Sequence, residues 1–415
     1  MKKKIIRACT VSMSVGFVAG MLPDLTKKYE VVLLSSPGPE MDEAREKYGV
    51  RTIEVPMERH ISLIRDVVSL WRIIRVFRKE RPDMVHSMTP KAGMLCMVAG
   101  WLTRVPVRIH TFTGLVFPTA TGLKKKILMC TDALTCYCAT HVIPEGEGVK
   151  ADLLNNGITR KPLRVLGYGN VMGIDMDKFS VSNVECSDSK LKTQNSKPNT
   201  FTFLFVGRIV RDKGINELVA AFDKLNRKYP ETRLVLVGRF EDNLDPISQD
   251  ARSIIEKNEH IEAVGAQYGD DLLACYAAAD CFVFPSYREG FPNTVLEAGA
   301  MGLPCIVTDI NGSREIITNE SSYEFNVDEN ENRKSKIRKS KIKKGENSKL
   351  KTKSNGIIIP SKDADALHDA MELMLTDEEL RQRMASCARQ MIGDRFEQCF
   401  VRKCLYEFYE EAFGN

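Results

Sequence analysis

Residues 282–297 read FVFPSYREGFPNTVLE. An apolar run ends at Pro285, a short loop carries Glu289-Gly290, and a helix starts near Pro292 or Asn293. That order of strand, loop and helix puts the loop at the carboxyl end of a buried parallel strand, where open α/β sheets bind ligands. Gly290 lets the backbone come close to a ligand, having no side chain to obstruct it. Pro292 suits a first helical turn, and the unpaired N–H groups beyond it can hold a phosphate. Glu289 before the helix and Glu297 two turns into it could each grip hydroxyl groups beside that phosphate. Taken alone, two glutamates eight positions apart are commonplace on protein surfaces.

Outward from this stretch, short β-rich runs alternate with helical patterns along the chain. Strands are predicted at 4–11, 29–35, 84–87, 107–113, 141–144 and 163–166 in the first half. In the second half they are predicted at 201–207, 233–238, 261–264, 281–285, 305–309 and 356–359. Apolar strands separated by helices such as 61–81 imply two parallel sheets. Residues 180–200, SVSNVECSDSKLKTQNSKPNT, are polar and aperiodic and read as an interdomain linker. Residues 319–354 are rich in Lys, Ser and Asn and read as a disordered surface insertion. A final helix is expected over about 390–413, with Phe396, Phe400, Leu405, Phe408 and Phe413 on its apolar face. The predicted division is therefore 1–179, a linker at 180–200, 201–389 with an insertion at 320–354, and a helix at 390–415 crossing back to the first domain.

At 415 residues with 43% apolar content, the chain can build two or three packed domains. Its 12 cysteines are scattered without a CxxC pair, which reads as free buried thiols in a reducing cytoplasm. The start, Met1-Lys2-Lys3-Lys4 before an apolar stretch, imitates a secretory signal. Arg7 interrupts that stretch and Leu22-Pro23-Asp24 is a poor cleavage site, so a first strand is expected instead. No run of about 20 apolar residues predicts a membrane-spanning helix. The net charge of +5 conceals an asymmetry: residues 1–180 carry 27 Lys and Arg against 17 Asp and Glu, whereas residues 200–320 carry 12 against 19. Residues 333–353 add 11 basic residues and one acidic. They contain no aromatic residue to stack on bases, so no nucleic-acid partner is inferred.

The 282–297 stretch is similar to the E-x7-E motif of the family 4 retaining glycosyltransferases. Residues 298–304 (AGAMGLP), 308–315 (TDINGSRE) and 205–214 (FVGRIVRDKG) resemble that family's adjoining segments. The likeness runs over nearly the whole chain and fails only in the linker and the lysine-rich insertion. It implies the GT-B fold, two Rossmann-like α/β domains with parallel sheets facing across a cleft. It also implies a sugar–nucleotide donor, with UDP the commoner nucleotide, and no cofactor. By the resemblance Arg208 and Lys213 bind the donor diphosphate. As isolated residues they would read as solvated surface charges. Glu297 would hold the ribose hydroxyls and Glu289 the transferred sugar, in a binding rather than a nucleophilic role. Gly290, Phe291, Pro292, Asn293 and Thr294 would complete the donor site. The implied mechanism retains the anomeric configuration without a covalent enzyme intermediate.

In the first half His110, read as closing the strand 107–110, matches a histidine that the family places near the donor sugar. His86 and Lys91, in MVHSMTPKAG, either face the cleft or serve the core. Gly16, in SMSVGFVAG, stands in the first strand–helix loop where relatives carry a glycine-rich turn near the diphosphate, although the usual adjacent glycine pair is missing. The Asp175-Met176-Asp177 triplet imitates a metal-binding DxD but falls just before the linker, and no metal is assigned. The basic first domain is, by the resemblance, the acceptor side. A glycan or polyprenyl-diphosphate-linked acceptor and docking on the anionic inner face of the cell membrane follow as expectations. Helix 61–81, with Arg65, Arg72, Arg75, Lys79 and Trp71, and residues 122–128 (GLKKKIL) are the candidate contacts, set against the simpler reading of solvated helix faces. Sugar-nucleotide 2-epimerases share the fold and remain an alternative, as does a non-catalytic sugar-nucleotide binding protein.

Overall fold

The computed structural model describes residues 2–58, 62–185, 200–243, 245–319 and 350–414. Contacts divide the chain into two units: Met1–Gly173 with Glu289–Pro292 and Phe396–Asn415, and Ile174–Arg288 with Asn293–Arg395.

The first unit is built on six parallel strands, β1 (Lys4–Ala8), β2 (Glu30–Ser35), β3 (Arg51–Glu54), β4 (Met84–Met88), β5 (Val107–Phe112) and β6 (His141–Pro144), in the order β3-β2-β1-β4-β5-β6. This is the Rossmann order, which reverses direction between β1 and β4. Side chains alternate across the sheet as a strand requires. Ile6, Ala8 and Val85 enter one apolar cluster, while Ile5, Cys9 and Met84 enter the other with Leu405, Phe408 and Tyr409 of the last helix.

The second unit holds β7 (Phe201–Val206), β8 (Thr232–Val237), β9 (Ile261–Gly265), β10 (Cys281–Phe284), β11 (Cys305–Thr308), β12 (Lys351–Lys353) and β13 (Gly356–Ile359). Their order is β12-β13-β11-β10-β7-β8-β9. With the antiparallel β12 set aside, the second sheet repeats the topology of the first, and its reversal lies between β7 and β10.

Several expectations are corrected. Residues 163–166 form no strand: Pro162 withholds an amide donor, and Leu163 and Leu166 instead pack on the two opposite clusters. β3 was not anticipated, because Arg-Thr-Ile-Glu is short and only half-buried. Within the stretch read as linker, Val181–Glu185 is a helix that buries Val184, and residues 186–199 lie outside the described residues. Most of the insertion, 320–349, lies outside them too, but Lys351–Lys353 pairs with β13. That hairpin is fixed by Asn355, which accepts from the Thr318 amide and donates to the Ile316 carbonyl. The final helix is two helices, Glu378–Phe396 and Gln398–Gly414, broken at Glu397, whose carboxylate accepts from the amides of Cys399 and Phe400. Not every cysteine is buried: Cys130 and Cys399 are exposed.

Arg7, which interrupts the apolar N-terminal run, is fully buried. Its guanidinium donates to Nδ1 of His86 (2.9 Å) and to the Tyr409 hydroxyl, with Met88 Sδ at 3.1 Å. Nδ1 must accept, so Nε2 carries the proton and donates to Thr111 Oγ1 (2.7 Å). Burial, reinforced by the Arg7 charge, holds the His86 pKa well below the usual imidazole value and keeps the ring neutral. The pair ties the last helix to the centre of the first sheet. Tyr409→Phe is expected to destabilise the protein by about 1–3 kcal/mol, because it leaves a buried cation short of an acceptor. An unchanged melting temperature would show that the tie carries no weight.

Candidate active site

The reversal point of the second sheet brings together the segments after β7 and β10. Beyond β7, Gly207 precedes Arg208, and a single 3-10 turn, Arg211–Lys213, leads through Gly214 into the helix Ile215–Lys228. Beyond β10, residues 285–288 lead towards the helix Asn293–Ala300. The two segments are bound backbone to backbone. The Asp212 carbonyl accepts from the Tyr287 amide (2.8 Å) and the Ser286 hydroxyl (3.2 Å). Arg288 pairs with the Asp212 carboxylate (3.1 Å), and the Tyr287 hydroxyl lies 2.7 Å from both Glu217 oxygens. Gly214 has φ +72°, and a Cβ there would stand 2.1 Å from the Pro285 carbonyl oxygen. Only glycine meets both demands.

This geometry presents two cations at the strand ends. The Arg208 guanidinium is half exposed and paired with Glu241 at 2.7 Å. Such an exposed pair contributes at most about 1 kcal/mol, so separating the two groups costs little. Lys213 Nζ stands 5.0 Å from the centroid of the Phe284 ring, which holds the ammonium against the end of β10. Glu297 lies on the inner side of the helix Asn293–Ala300, where Tyr276 donates to its carboxylate (2.8 Å). Burial pushes its pKa up to about 7, against the opposing pull of the Tyr276 hydroxyl and the Lys178 charge. Asn293 and Thr294 open this helix.

Glu289, Gly290, Phe291 and Pro292 are grouped with the first unit. There the close backbone approach that Gly290 permits is to the protein itself, since a Cβ would lie 2.3 Å from the Thr113 carbonyl oxygen. Phe291 is buried, its ring 5.3 Å from that of Phe396, so the side chain packs in the core. His110 lies inside β5 rather than at its end, because the strand continues to Phe112. It is 1% exposed and bonded through Nδ1 to the Ser87 hydroxyl (2.9 Å), and burial pushes its pKa down to about 3. The imidazole is therefore neutral. Gly16 stands in a short helix, Gly16–Ala19, and not in the loop, because the helical segment already begins with the 3-10 turn Ser12–Val15. A Cβ there meets nothing within 4 Å, so packing does not require glycine. Lys91 forms an ion pair with Asp66 (2.6 Å), and Asp175 of the DxD triplet caps a turn by accepting from the Lys178 amide (2.9 Å). The reading of the sequence missed Tyr276, Glu241 and Ser87 as partners of Glu297, Arg208 and His110; their separations of 21, 33 and 23 residues leave no local signal.

The same fold is found in a glycosyltransferase from Rickettsia africae (18% identity, TM-score 0.73, 100% of this chain and 99% of that one). It is also found in Anabaena Alr3699/HepE solved with UDP (16% identity, TM-score 0.72, 99% and 100%). The protein therefore has the GT-B architecture. In sequence, residues 187–340 match the family described as glycosyl transferases group 1 and residues 20–169 the glycosyl transferase 4-like domain. The capsular polysaccharide biosynthesis glycosyltransferase CapM of Staphylococcus aureus is 29% identical over 410 residues, 98% of this chain and 97% of CapM. The UDP-Gal:alpha-D-GlcNAc-diphosphoundecaprenol alpha-1,3-galactosyltransferase of Escherichia coli is 30% identical over 276 residues, 66% of this chain and 70% of that enzyme. The chain belongs to the family 4 glycosyltransferases.

Gly214 and Gly265 share a left-handed conformation, φ +72° and +75°, but a Cβ at Gly265 meets open space. Gly214→Ala is expected to destabilise the protein by about 2 kcal/mol more than Gly265→Ala, the added cost being the collision with Pro285. Equal melting temperatures for the two variants would refute the close approach.

Proposed function

We propose that the enzyme transfers a hexose or N-acetylhexosamine from a UDP-sugar, with retention and without a metal, to a glycan carried on polyprenyl diphosphate during bacterial polysaccharide assembly. The observation that carries this reading is that Arg208 and Lys213 follow β7, and the helix Asn293–Ala300 follows β10, the two strands that flank the reversal point of the second sheet. Supporting it are the names of two relatives acting on diphosphoundecaprenol-linked acceptors, from E. coli and Campylobacter jejuni, and the UDP bound by the Anabaena structure.

In this reading the two cations and the helix start receive the diphosphate. As the bond from the anomeric carbon to the diphosphate oxygen breaks, negative charge gathers on the β-phosphate, where these groups stabilise it. The acceptor hydroxyl attacks from the same face, a phosphate oxygen takes its proton, and UDP leaves with that proton. Glu297 accepts from the ribose hydroxyls and Glu289 from the transferred sugar. Gly290, Phe291 and Pro292 shape the turn, and Asn293 and Thr294 supply helix-start amides. His110, buried and neutral within β5, is assigned to the sugar and Gly16 to the diphosphate. The basic helix Leu63–Glu80 seats the enzyme on the inner face of the membrane. Among the described residues no helix is long and apolar enough to cross one.

A thermal-shift screen of sugar nucleotides tests this directly. One UDP-sugar is expected to raise the melting temperature, with the shift lost in Arg208→Ala and unaffected by a chelator. A shift that needs a divalent cation would contradict the metal-independent reading. Product formation that needs no acceptor would favour the epimerase alternative instead.

The Glu297 pKa gives a second test. Its carboxyl group accepts from both ribose hydroxyls most strongly when ionised, above about pH 7, so lowering the pH weakens donor binding. The donor dissociation constant is expected to rise up to about tenfold from about pH 8 to about pH 6. In Glu297→Gln the profile should be flat over that range. Parallel profiles for the two proteins would remove Glu297 from donor binding.

A further inference from the structure

The reversal point of the first sheet, between β1 and β4, opens into a cavity of about 790 Å³ lying wholly within the first unit. That volume is typical of a ligand site. Thr10, just beyond β1, and Thr89, just beyond β4, line it and are joined hydroxyl to hydroxyl at 2.7 Å. Its walls are largely hydrocarbon, with Leu70, Met94, Leu95, Val116 and Leu128 among them. The Asp66–Lys91 ion pair in the wall is nearly buried, and each charge already has its partner.

The cavity opens beside further exposed apolar side chains. Val67 and Ile127 line it and are also 65% and 39% exposed. From Val67 an exposed apolar stripe runs along the helix Leu63–Glu80 through Ile64, Val68 and Trp71, spaced as one helical face. From Ile127 a second stripe follows the helix Gly122–Cys138 through Leu123, Leu134 and Tyr137. Two contiguous apolar faces beside a cavity mark an interaction surface. Cations border them. Lys124 lines the cavity, Lys125 and Lys126 follow it on the same helix, and Arg75 lies over the Trp71 ring at 3.5 Å. Among the described residues none of the three lysines is ion-paired. A hydrocarbon cavity bordered by unpaired cations is complementary to a long apolar chain that ends in phosphate.

We infer that this cavity binds the polyprenyl chain of the lipid-linked acceptor, with the chain along Leu70, Met94 and Leu128 and its phosphates at Lys124. The inference rests on the proposed acceptor class and adds where and by what chemistry that acceptor is recognised. The exposed stripes then meet the bilayer from which the chain is drawn.

The test uses the full-length protein and fluorescently labelled undecaprenyl phosphate and geranyl phosphate. The wild type is expected to bind the long chain at least about tenfold more tightly than the short one, since each buried CH2 adds to affinity. Thr131→Phe, which fills the cavity, and Leu128→Gln, which makes its wall polar, should abolish that preference and leave the UDP-sugar thermal shift intact. The inference is overturned if the folded variants keep the preference or if the wild type shows none. It is equally overturned if phosphatidylglycerol vesicles displace the probe as well as unlabelled undecaprenyl phosphate does, which would mean bulk lipid binding. Should neither variant fold, undecaprenyl phosphate carrying a photoreactive chain is crosslinked to the wild type. Labelling within Leu63–Glu80 and Gly122–Cys138 is expected, and labelling confined elsewhere rejects the site. Chain-length-dependent binding without any sugar-nucleotide shift would separate failure of the proposed function from failure of this inference.

Discussion

The second unit depends on one close backbone contact, the meeting of the turn Arg211–Lys213 with the residues that leave β10. Parallel strands end side by side, but their loops are free to diverge unless something binds them. Here the Asp212 carbonyl takes two donors from the other segment, and Gly214 removes the side chain that would force the two apart. Lys213 on one segment and the helix Asn293–Ala300 after the other thereby keep a fixed relation before any ligand arrives. Charge fixed in this way before a ligand arrives needs no rearrangement to act on it.

The charged groups of the protein divide by how their charge is compensated. Arg208 is half exposed and paired weakly with Glu241, a state from which it can be recruited. Glu297 is held where its charge is costly, so its protonation is poised near neutrality. Arg7 is the opposite case: it is buried among neutral acceptors, His86 and Tyr409, and fastens the last helix to the first sheet. Lys91 is neutralised by Asp66, so of the three charges in the wall of the cavity only Lys124 is left without a counter-charge among the described residues.

Much of the fold was legible because buried parallel strands are written as short apolar runs, and β2, β4, β6 and β13 were found within a residue or two of where they lie. The strand–loop–helix around Glu289–Glu297 was legible for the same reason. What escaped was written weakly or at long range. β3 and β12 are short and partly exposed, so their composition resembles loop. The break at Glu397 is made by a carboxylate capping two amides, which leaves the apolar spacing on either side uninterrupted. The packing of Gly290 against Thr113 and of Phe291 against Phe396 escaped because a glycine and an aromatic look alike in a loop and in a packed core. The cavity of the first unit was invisible because its walls come from three helices and several loops widely separated in sequence, and two of its charges are paired across 25 residues.

The central claim is that the cations at the end of β7 and the start of the helix Asn293–Ala300 receive the donor's diphosphate. A crystal structure with UDP bound measures this most directly. The account predicts phosphate oxygens within hydrogen-bonding distance of Arg208 and Lys213, Glu241 displaced from Arg208, and the ribose hydroxyls on Glu297. A nucleotide whose diphosphate lies away from both cations would contradict it.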